Sequence, residues 1–324
     1  MDRALPTTVS RVENALVLSP ELVASAREYA AAAKAERTRE SYALAWRTFT
    51  RWCEAQGLPS LPASPTTVAL YLTSRANQGR KVGTLSLELV AISQAHKSAG
   101  HASPRSSAEV QAVLKGIRRA KGVAQTKKAP VLVPELRKMA AGLPATTIGL
   151  RDRALLLMGF AGAFRRSELI ALEVGDVVFT SDGLEVTLRR SKTDQEGAGQ
   201  KVGIPFGSDP ATCPVRSLRK WLDGVGLKEG RLFRSVNRHG HIGGSLTGHG
   251  VALIVKRAAE QAGLDAGNYS GHSLRAGLAT AAAKAGKQER IIAKQTRHKS
   301  IAVLRGYIRD AELFTENAAS GIGL

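Results

Sequence analysis

Imidazoles, guanidiniums and a phenol crowd one short stretch of this chain. Gly271-His272-Ser273-Leu274-Arg275 opens it, Arg297-His298 lies within it, and Gly306-Tyr307-Ile308-Arg309 closes it. These are the groups that phosphodiester chemistry without a metal requires. Its transition state carries negative charge on two non-bridging oxygens, and a planar guanidinium holds both through paired, charge-assisted hydrogen bonds. Arg275 and, from outside the stretch, Arg165 are the candidates for that role. The reaction also needs an aimed hydroxyl nucleophile and a proton for the departing sugar oxygen, for which Tyr307 and Lys192 are the candidates. His272 stands three residues before Arg275, so on one helical turn both can address a single phosphate, and His298 completes the cage. Each residue alone is a weak signal; their order and spacing discriminate.

These groups must be delivered by several elements. The apolar run Ala154 to Phe164 predicts a helix buried on most sides, and Arg165-Arg166-Ser167-Glu168-Leu169 follows it, with Ser167 as the expected cap of a short helix and Glu168 in its first turn. Leu184, Val186 and Leu188 alternate with polar residues after an Asp182-Gly183 turn. A small antiparallel sheet is therefore expected, flanked by Asp176 to Phe179 and Lys201 to Phe206, with Ser191 to Asp194 in the loop between its second and third strands. Helices are predicted from Pro214 to Leu222 and from Val251 to Ala262, separated by a Gly- and His-rich loop, Asn237 to Gly250. No Cys or carboxylate completes a ligand set around His239, His241 and His249, so they read as solvated or phosphate-facing, and no metal site is expected.

The N-terminal part reads differently. Residues 1–18 lack periodicity and read as a flexible arm. Ser-Pro pairs at Ser19-Pro20, Ser64-Pro65 and Ser103-Pro104 mark helix starts, and Tyr42, Trp46, Phe49 and Cys53 form a buried helical stripe. A bundle of about five helices over residues 19–120 follows, presenting Arg37, Arg39, Arg47, Arg80, Lys81, Lys97, Arg118 and Arg119 as candidate phosphate grips. Residues 121–133, with Gly122, Lys127, Lys128 and Pro130, read as a basic linker ahead of a second domain, 134–324.

Bulk properties agree. A chain of 324 residues is long enough for two cores, and 47 Lys plus Arg against 27 Asp plus Glu, a net charge of +20, call for a polyanionic partner, foremost nucleic acid. Charge spread along the whole chain argues against a membrane-surface helix, and the longest apolar run falls short of the roughly 20 residues a spanning helix needs. Cys53 and Cys213, one in each half, form neither a disulfide framework nor a metal motif, and a reducing cytoplasm suits them.

Taken together, these residues resemble the tyrosine recombinase (phage integrase) family, which includes the Cre and Xer recombinases, over nearly the whole chain. Arg165 to Leu169 looks like the family's first box, Lys192 matches the sheet-loop lysine, His272 and Arg275 match the His-x-x-Arg box, and His298 stands nine residues before Tyr307. Glu168 matches the acidic position that supports the site. The chain departs from the pattern at Ala163-Phe164, where glycine and leucine are more usual, and at Thr296-Arg297, where glycine often precedes the last histidine. The resemblance implies a mainly α fold with a small antiparallel β-sheet: an N-terminal helical core-binding domain plus a C-terminal mixed α+β catalytic domain, clamped around double-stranded DNA. It implies cleavage and rejoining of strands at paired inverted recognition elements through a 3′-phosphotyrosyl link, by a homotetramer acting through a Holliday junction, with no cofactor, metal or ATP, in a bacterial cytoplasm on the nucleoid. Ala311, Leu313, Phe314, Ala318 and Ile322 would form an apolar tail helix, docking on a neighbouring protomer or on its own domain.

Overall fold

The computed structural model describes residues 19–123, 128–189, 199–298 and 300–312. It divides into two compact units, Met1–Thr126 and Lys127–Leu324. In the first, five helices are described: α1 (Pro20–Ala32), α2 (Glu36–Ala55), α3 (Pro65–Asn77), α4 (Val82–Ser98) and α5 (Ala108–Lys121). Serine caps set three of the starts. Leu22 N–H donates to the Ser19 hydroxyl at 3.1 Å, Thr67 N–H to Ser64 at 3.0 Å and Val110 N–H to Ser107 at 3.2 Å, each cap worth about 1 kcal/mol.

Ser103-Pro104 does not begin α5; it begins a single 3-10 turn, Pro104–Ser106, and Ser107 caps the helix instead. Ser103 caps that turn, accepting from Arg105 N–H at 3.3 Å, and its hydroxyl also meets that of Ser93 at 2.7 Å, tying the turn to α4. The core of this unit is Trp46, Phe49, Cys53, Tyr71, Leu72, Leu89 and Ile92 with their neighbours, so three residues of the stripe expected on α2 are buried, while Tyr42 is half-buried outside that core. Burial pushes the Cys53 thiol up to about 11, so it packs as a small apolar group.

The second unit contains α6 (Val133–Ala141), α7 (Thr147–Ala161), α8 (Arg166–Ala171), β1 (Val177–Phe179), β2 (Gly183–Leu188), β3 (Gln200–Pro205), α9 (Pro214–Val225), β4 (Arg234–Val236), β5 (Ile242–Ser245), α10 (Gly248–Gln261), α11 (Ser273–Lys284), α12 (Glu289–Thr296) and α13 (Ile301–Glu312). Strands β1, β2 and β3 form one antiparallel sheet in that order, with Val177 opposite Val186 and Leu184 opposite Ile204. Leu184, Val186 and Leu188 all point into the core. That core is built on Leu155, Leu156, Met158, Phe164, Trp221, Phe233 and Val255. Trp221 satisfies its indole N–H on the Leu232 carbonyl at 2.9 Å.

Four expectations need correction. The apolar run is helical only to Ala161; Ala163 turns the chain with φ 46°, which takes Phe164 out of the helix. Ser167 does not cap α8, because Arg165 occupies the N-cap position and Glu168 folds back to it. Asn237 to Gly250 is not all loop: β4 and β5 pair as a hairpin whose turn is held by Asn237, which accepts from His239 N–H at 2.9 Å and His241 N–H at 3.0 Å. Finally, the second half of the expected linker is a strap on the second unit. Ala129 N–H donates to Asn268 O at 2.8 Å, Val131 N–H to Ser273 O at 2.9 Å, and the Val131 side chain is fully buried. The apolar tail positions beyond Glu312 lie outside the described residues, and among the described helices none is long and apolar enough to cross a membrane.

The strap fixes α11, which carries Arg275. A Cβ at Gly277 would stand 1.9 Å from the Val131 carbonyl oxygen, so the strap lies where any side chain would be. Gly277→Ala is expected to cost about 1–3 kcal/mol through forced backbone displacement. A thermal melt checks this, at about 2–4 °C per kcal/mol for a unit of this size. An unchanged midpoint would show that the strap does not hold α11.

Candidate active site

The site grows from the end of α7. Gly162 and Ala163 reverse the chain, and Arg165 then starts α8 with its side chain, 12% exposed, turned inward. Glu168, on the first turn of α8, is almost fully buried and takes three partners. Its Oε2 accepts from Arg165 N–H at 2.9 Å and from Arg297 Nη2 at 2.9 Å, and its Oε1 accepts from Arg165 Nη1 at 2.5 Å. Burial alone would raise the Glu168 carboxyl, but the charge of Arg297 and the hydrogen bonds from Arg165 overcome it and hold the group below the usual carboxylate range. One carboxylate thus anchors two guanidiniums.

Arg275 enters from the first turn of α11, three residues after His272, which stands exposed at the N-cap. Arg275 is 3% exposed and donates through Nη1 to Ala163 O at 2.7 Å, while Nη2 is buried with no partner. A buried donor left open is costly unless an acceptor arrives. Burial, then the charges of Arg165 and Arg297, push the Arg275 guanidinium down to about 9, and it stays cationic at neutral pH.

His298 follows α12. Thr296 Oγ1 gives its hydrogen to Ile292 O at 2.6 Å and therefore accepts from His298 Nδ1 at 2.7 Å, which leaves the lone pair of the neutral ring on Nε2. Burial, reinforced by Arg275, Arg165, His272 and Arg297, pushes His298 down to about 4. Its ring lies 6.0 Å from that of Tyr307, centroid to centroid. Tyr307 sits mid-way along α13, which packs on α11 and α12 through Leu304, Ala279, Ala283 and Ile292. Packing of α13 therefore places the phenol ring beside the imidazole.

Arg165, Glu168, Arg275, His298 and Tyr307 are thus brought together, with His272 close enough to act on the charge of His298. Lys192 lies outside the described residues. Strands β2 and β3 themselves end at Leu188 and begin at Gln200, and their sheet is tied to the site where Gln295 Nε2 donates to Gly203 O at 3.1 Å and to Ala161 O at 2.8 Å. Tyr269, the other tyrosine of this unit, is buried against the core.

One residue of the site was not among the candidates. Arg297, read from sequence only as an unusual lead into His298, takes φ 54° and buries its guanidinium among the others. It and Ala163 are the non-glycine residues with positive φ among those described, and each such conformation costs about 1–3 kcal/mol. Both fall at the departures from the family pattern, which was the available signal.

In the first unit the eight candidate phosphate grips are all exposed. Arg80, Lys81 and Arg118 meet around one open cavity at the start of α4, together with Lys121, which sequence reasoning had not singled out. Arg37, Arg39, Arg47, Lys97 and Arg119 do not line it. His239 and His241 lie on the β4–β5 turn with rings 6.4 Å apart.

The model of the phage integrase family matches residues 131–313. The chain belongs to that family. Every element that carries the site falls within the matched span. Among curated proteins, an integrase/recombinase xerD homolog from Selenomonas ruminantium is 38% identical over 314 residues, covering 95% of this chain and 91% of that protein. The recombinase cre of Escherichia phage P1 is 23% identical over 295 residues, 82% of each chain. Among solved structures, the XerH site-specific recombinase in a post-cleavage complex with palindromic difH substrate shares the fold with TM-score 0.66 at 19% identity, covering 93% of this chain and 83% of that one. A lambda integrase dimer bound to a core site matches with TM-score 0.60 at 20% identity, over 90% and 95%. The family is that of the site-specific, tyrosine-type recombinases, enzymes that cleave and rejoin DNA.

The electrostatics of His298 give a direct prediction. In the protein without DNA its ring should titrate near 4 by NMR, well below the ordinary value of 6.5. Because the folded value is depressed, the neutral ring is favoured, and its contribution to stability is complete above about pH 6.5 and shrinks as pH falls toward 4. A phosphate analogue bound among the arginines should raise the midpoint. A midpoint near 6.5 in the free protein would contradict this arrangement.

Proposed function

We propose that this protein is a site-specific DNA recombinase whose Tyr307 attacks a scissile phosphate held by Arg165 and Arg275. The observation that carries this reading is the convergence of two guanidiniums, the half-buried Arg165 and the buried Arg275 with its open donor, with Tyr307 and His298. The bond from Tyr307 Oη to phosphorus forms as the bond from phosphorus to the 5′ oxygen breaks, leaving a 3′-phosphotyrosyl link and a free 5′-hydroxyl. Arg165 and Arg275 neutralise the charge that develops on the non-bridging oxygens. His298, whose ring lies 6.0 Å from that of Tyr307 and keeps its lone pair on Nε2, takes the phenolic proton, His272 bonds a phosphate oxygen, and Lys192 protonates the leaving oxygen. Attack by the 5′-hydroxyl of a partner strand reverses the step, so the energy of the phosphoester is conserved and neither ATP nor a metal enters the balance.

In the same reading the protein binds double-stranded DNA with paired inverted elements. The cavity lined by Arg80, Lys81, Arg118 and Lys121 grips phosphates from the N-terminal unit. Strand exchange proceeds in a tetramer, one pair of strands at a time through a Holliday junction, and serves integration, excision or resolution of mobile DNA in the bacterial cytoplasm. An apolar cavity of about 650 Å³ beside α12, lined by Leu136, Phe160, Phe206, Leu278 and Ile291, offers a neighbour's apolar tail a place to dock.

Incubation with nicked suicide DNA carrying the target site, in EDTA, should give a covalent adduct on a denaturing gel with the native protein and none with Tyr307→Phe. Arg165→Ala and Arg275→Ala should slow adduct formation by about 10²–10³-fold with far smaller losses of DNA affinity. Equal adducts from native protein and Tyr307→Phe would remove Tyr307 as nucleophile, and a strict divalent-metal requirement would refute the mechanism. Truncation after Glu312 should abolish tetramers on DNA while leaving the single-site adduct; tetramers of the truncated chain would exclude the tail from assembly.

A further inference from the structure

The turn that leaves α7 and the turn that leaves α12 are locked to each other by Arg297. Its Nη1 donates to Gly162 O at 2.9 Å and to Gln295 O at 2.8 Å, and its Nη2 donates to Ala163 O at 2.9 Å and to Glu168 Oε2 at 2.9 Å. The guanidinium carbon also lies 5.3 Å from the centre of the Phe164 ring, on which it stacks. Phe164 in turn leans on residue 162, where a Cβ would meet the ring at 2.2 Å. Both Nη atoms of Arg297 are thus committed to protein acceptors, and Nε is buried with none. Arg275, by contrast, keeps Nη2 open. The two neighbours have different tasks.

Two of the four acceptors that Arg297 holds also serve a guanidinium assigned above to the phosphate, and its own carbonyl serves one of them as well. Ala163 O is shared with Arg275 at 2.7 Å, Glu168 is shared with Arg165, and the carbonyl of Arg297 itself accepts from Arg165 Nη2 at 3.2 Å. That last contact depends on the left-handed conformation of residue 297, which glycine also adopts. We infer that Arg297 is a positioning residue, whose planar fork clamps Gly162, Ala163 and Glu168 so that Arg165 and Arg275 are held in register for one phosphate. A lysine presents no such fork and cannot serve these acceptors together.

The inference rests on the phosphotyrosyl reading, and single-turnover adduct formation on suicide DNA separates the two. Arg297→Gly keeps the backbone conformation and loses only the fork. Its adduct rate at saturating protein should fall by about 100-fold, the scale of a misplaced catalytic group, with DNA affinity within about threefold of native, and millimolar guanidinium ion should restore part of the rate. Arg297→Lys, which retains the buried charge, should also bind DNA normally and cleave at least about tenfold more slowly. An Arg297→Gly rate within threefold of native would overturn the role. So would parallel losses of rate and affinity without rescue, because a merely structural residue behaves that way. If the native protein gives no Tyr307-dependent adduct, the phosphotyrosyl reading itself fails, and this inference with it.

Discussion

The buried carboxylate of Glu168 is the constraint on which the site depends. Burial and then the charge of Arg165 depress both Arg275 and Arg297, and a single carboxylate pairs with Arg165 and Arg297. The pocket is left with a surplus of positive charge in a setting largely withdrawn from water, where an unpaired charge is costly. His298 responds by staying neutral, and Arg275 keeps an open donor. A phosphodiester would relieve that surplus, and more strongly as its charge grows in the transition state. The strain of the free pocket and the chemistry proposed for it have one cause.

Geometry is supplied by rigid elements that meet end-on. The end of α7, the first turns of α8 and α11, and the last turn of α12 all converge within a few residues, and α13 packs across α11 to bring in Tyr307. Backbone carbonyls do much of the alignment: Gly162, Ala163 and Arg297 each accept from an arginine of the site. Carbonyls at chain reversals are free for this because they have left the helical ladder. The turns between elements, more than the elements, therefore determine whether the guanidiniums share a target.

That division explains what could be read from the sequence. The His272 and Arg275 spacing, the period-two run at Leu184 to Leu188 and the α2 stripe through Phe49 and Cys53 are periodic signals, and each element is present where its period placed it. Arg165, His298 and Tyr307 were legible because order and spacing tie them to a family. The rest depended on tertiary contacts that no local pattern records. Ser103 caps a separate 3-10 turn and leaves the start of α5 to Ser107, and the strap at Ala129 to Val131 has a linker's composition but finds backbone partners on Asn268 and Ser273. The short strands β4 and β5 contain too few apolar residues to announce themselves. Arg297 was hidden for the opposite reason: its position looked like a deviation, and only the four acceptors around it show why a charged residue stands there.

The central claim is that this crowded cationic pocket holds a scissile phosphate in line with Tyr307. Digestion of the denatured protein–DNA adduct, followed by mass spectrometry of the linked peptide, tests it most directly. The account predicts a nucleotide joined through its 3′-phosphate to the peptide that contains Tyr307, with a 5′-hydroxyl on the released strand. A 5′-phosphate linkage, or attachment at any other residue, would contradict it.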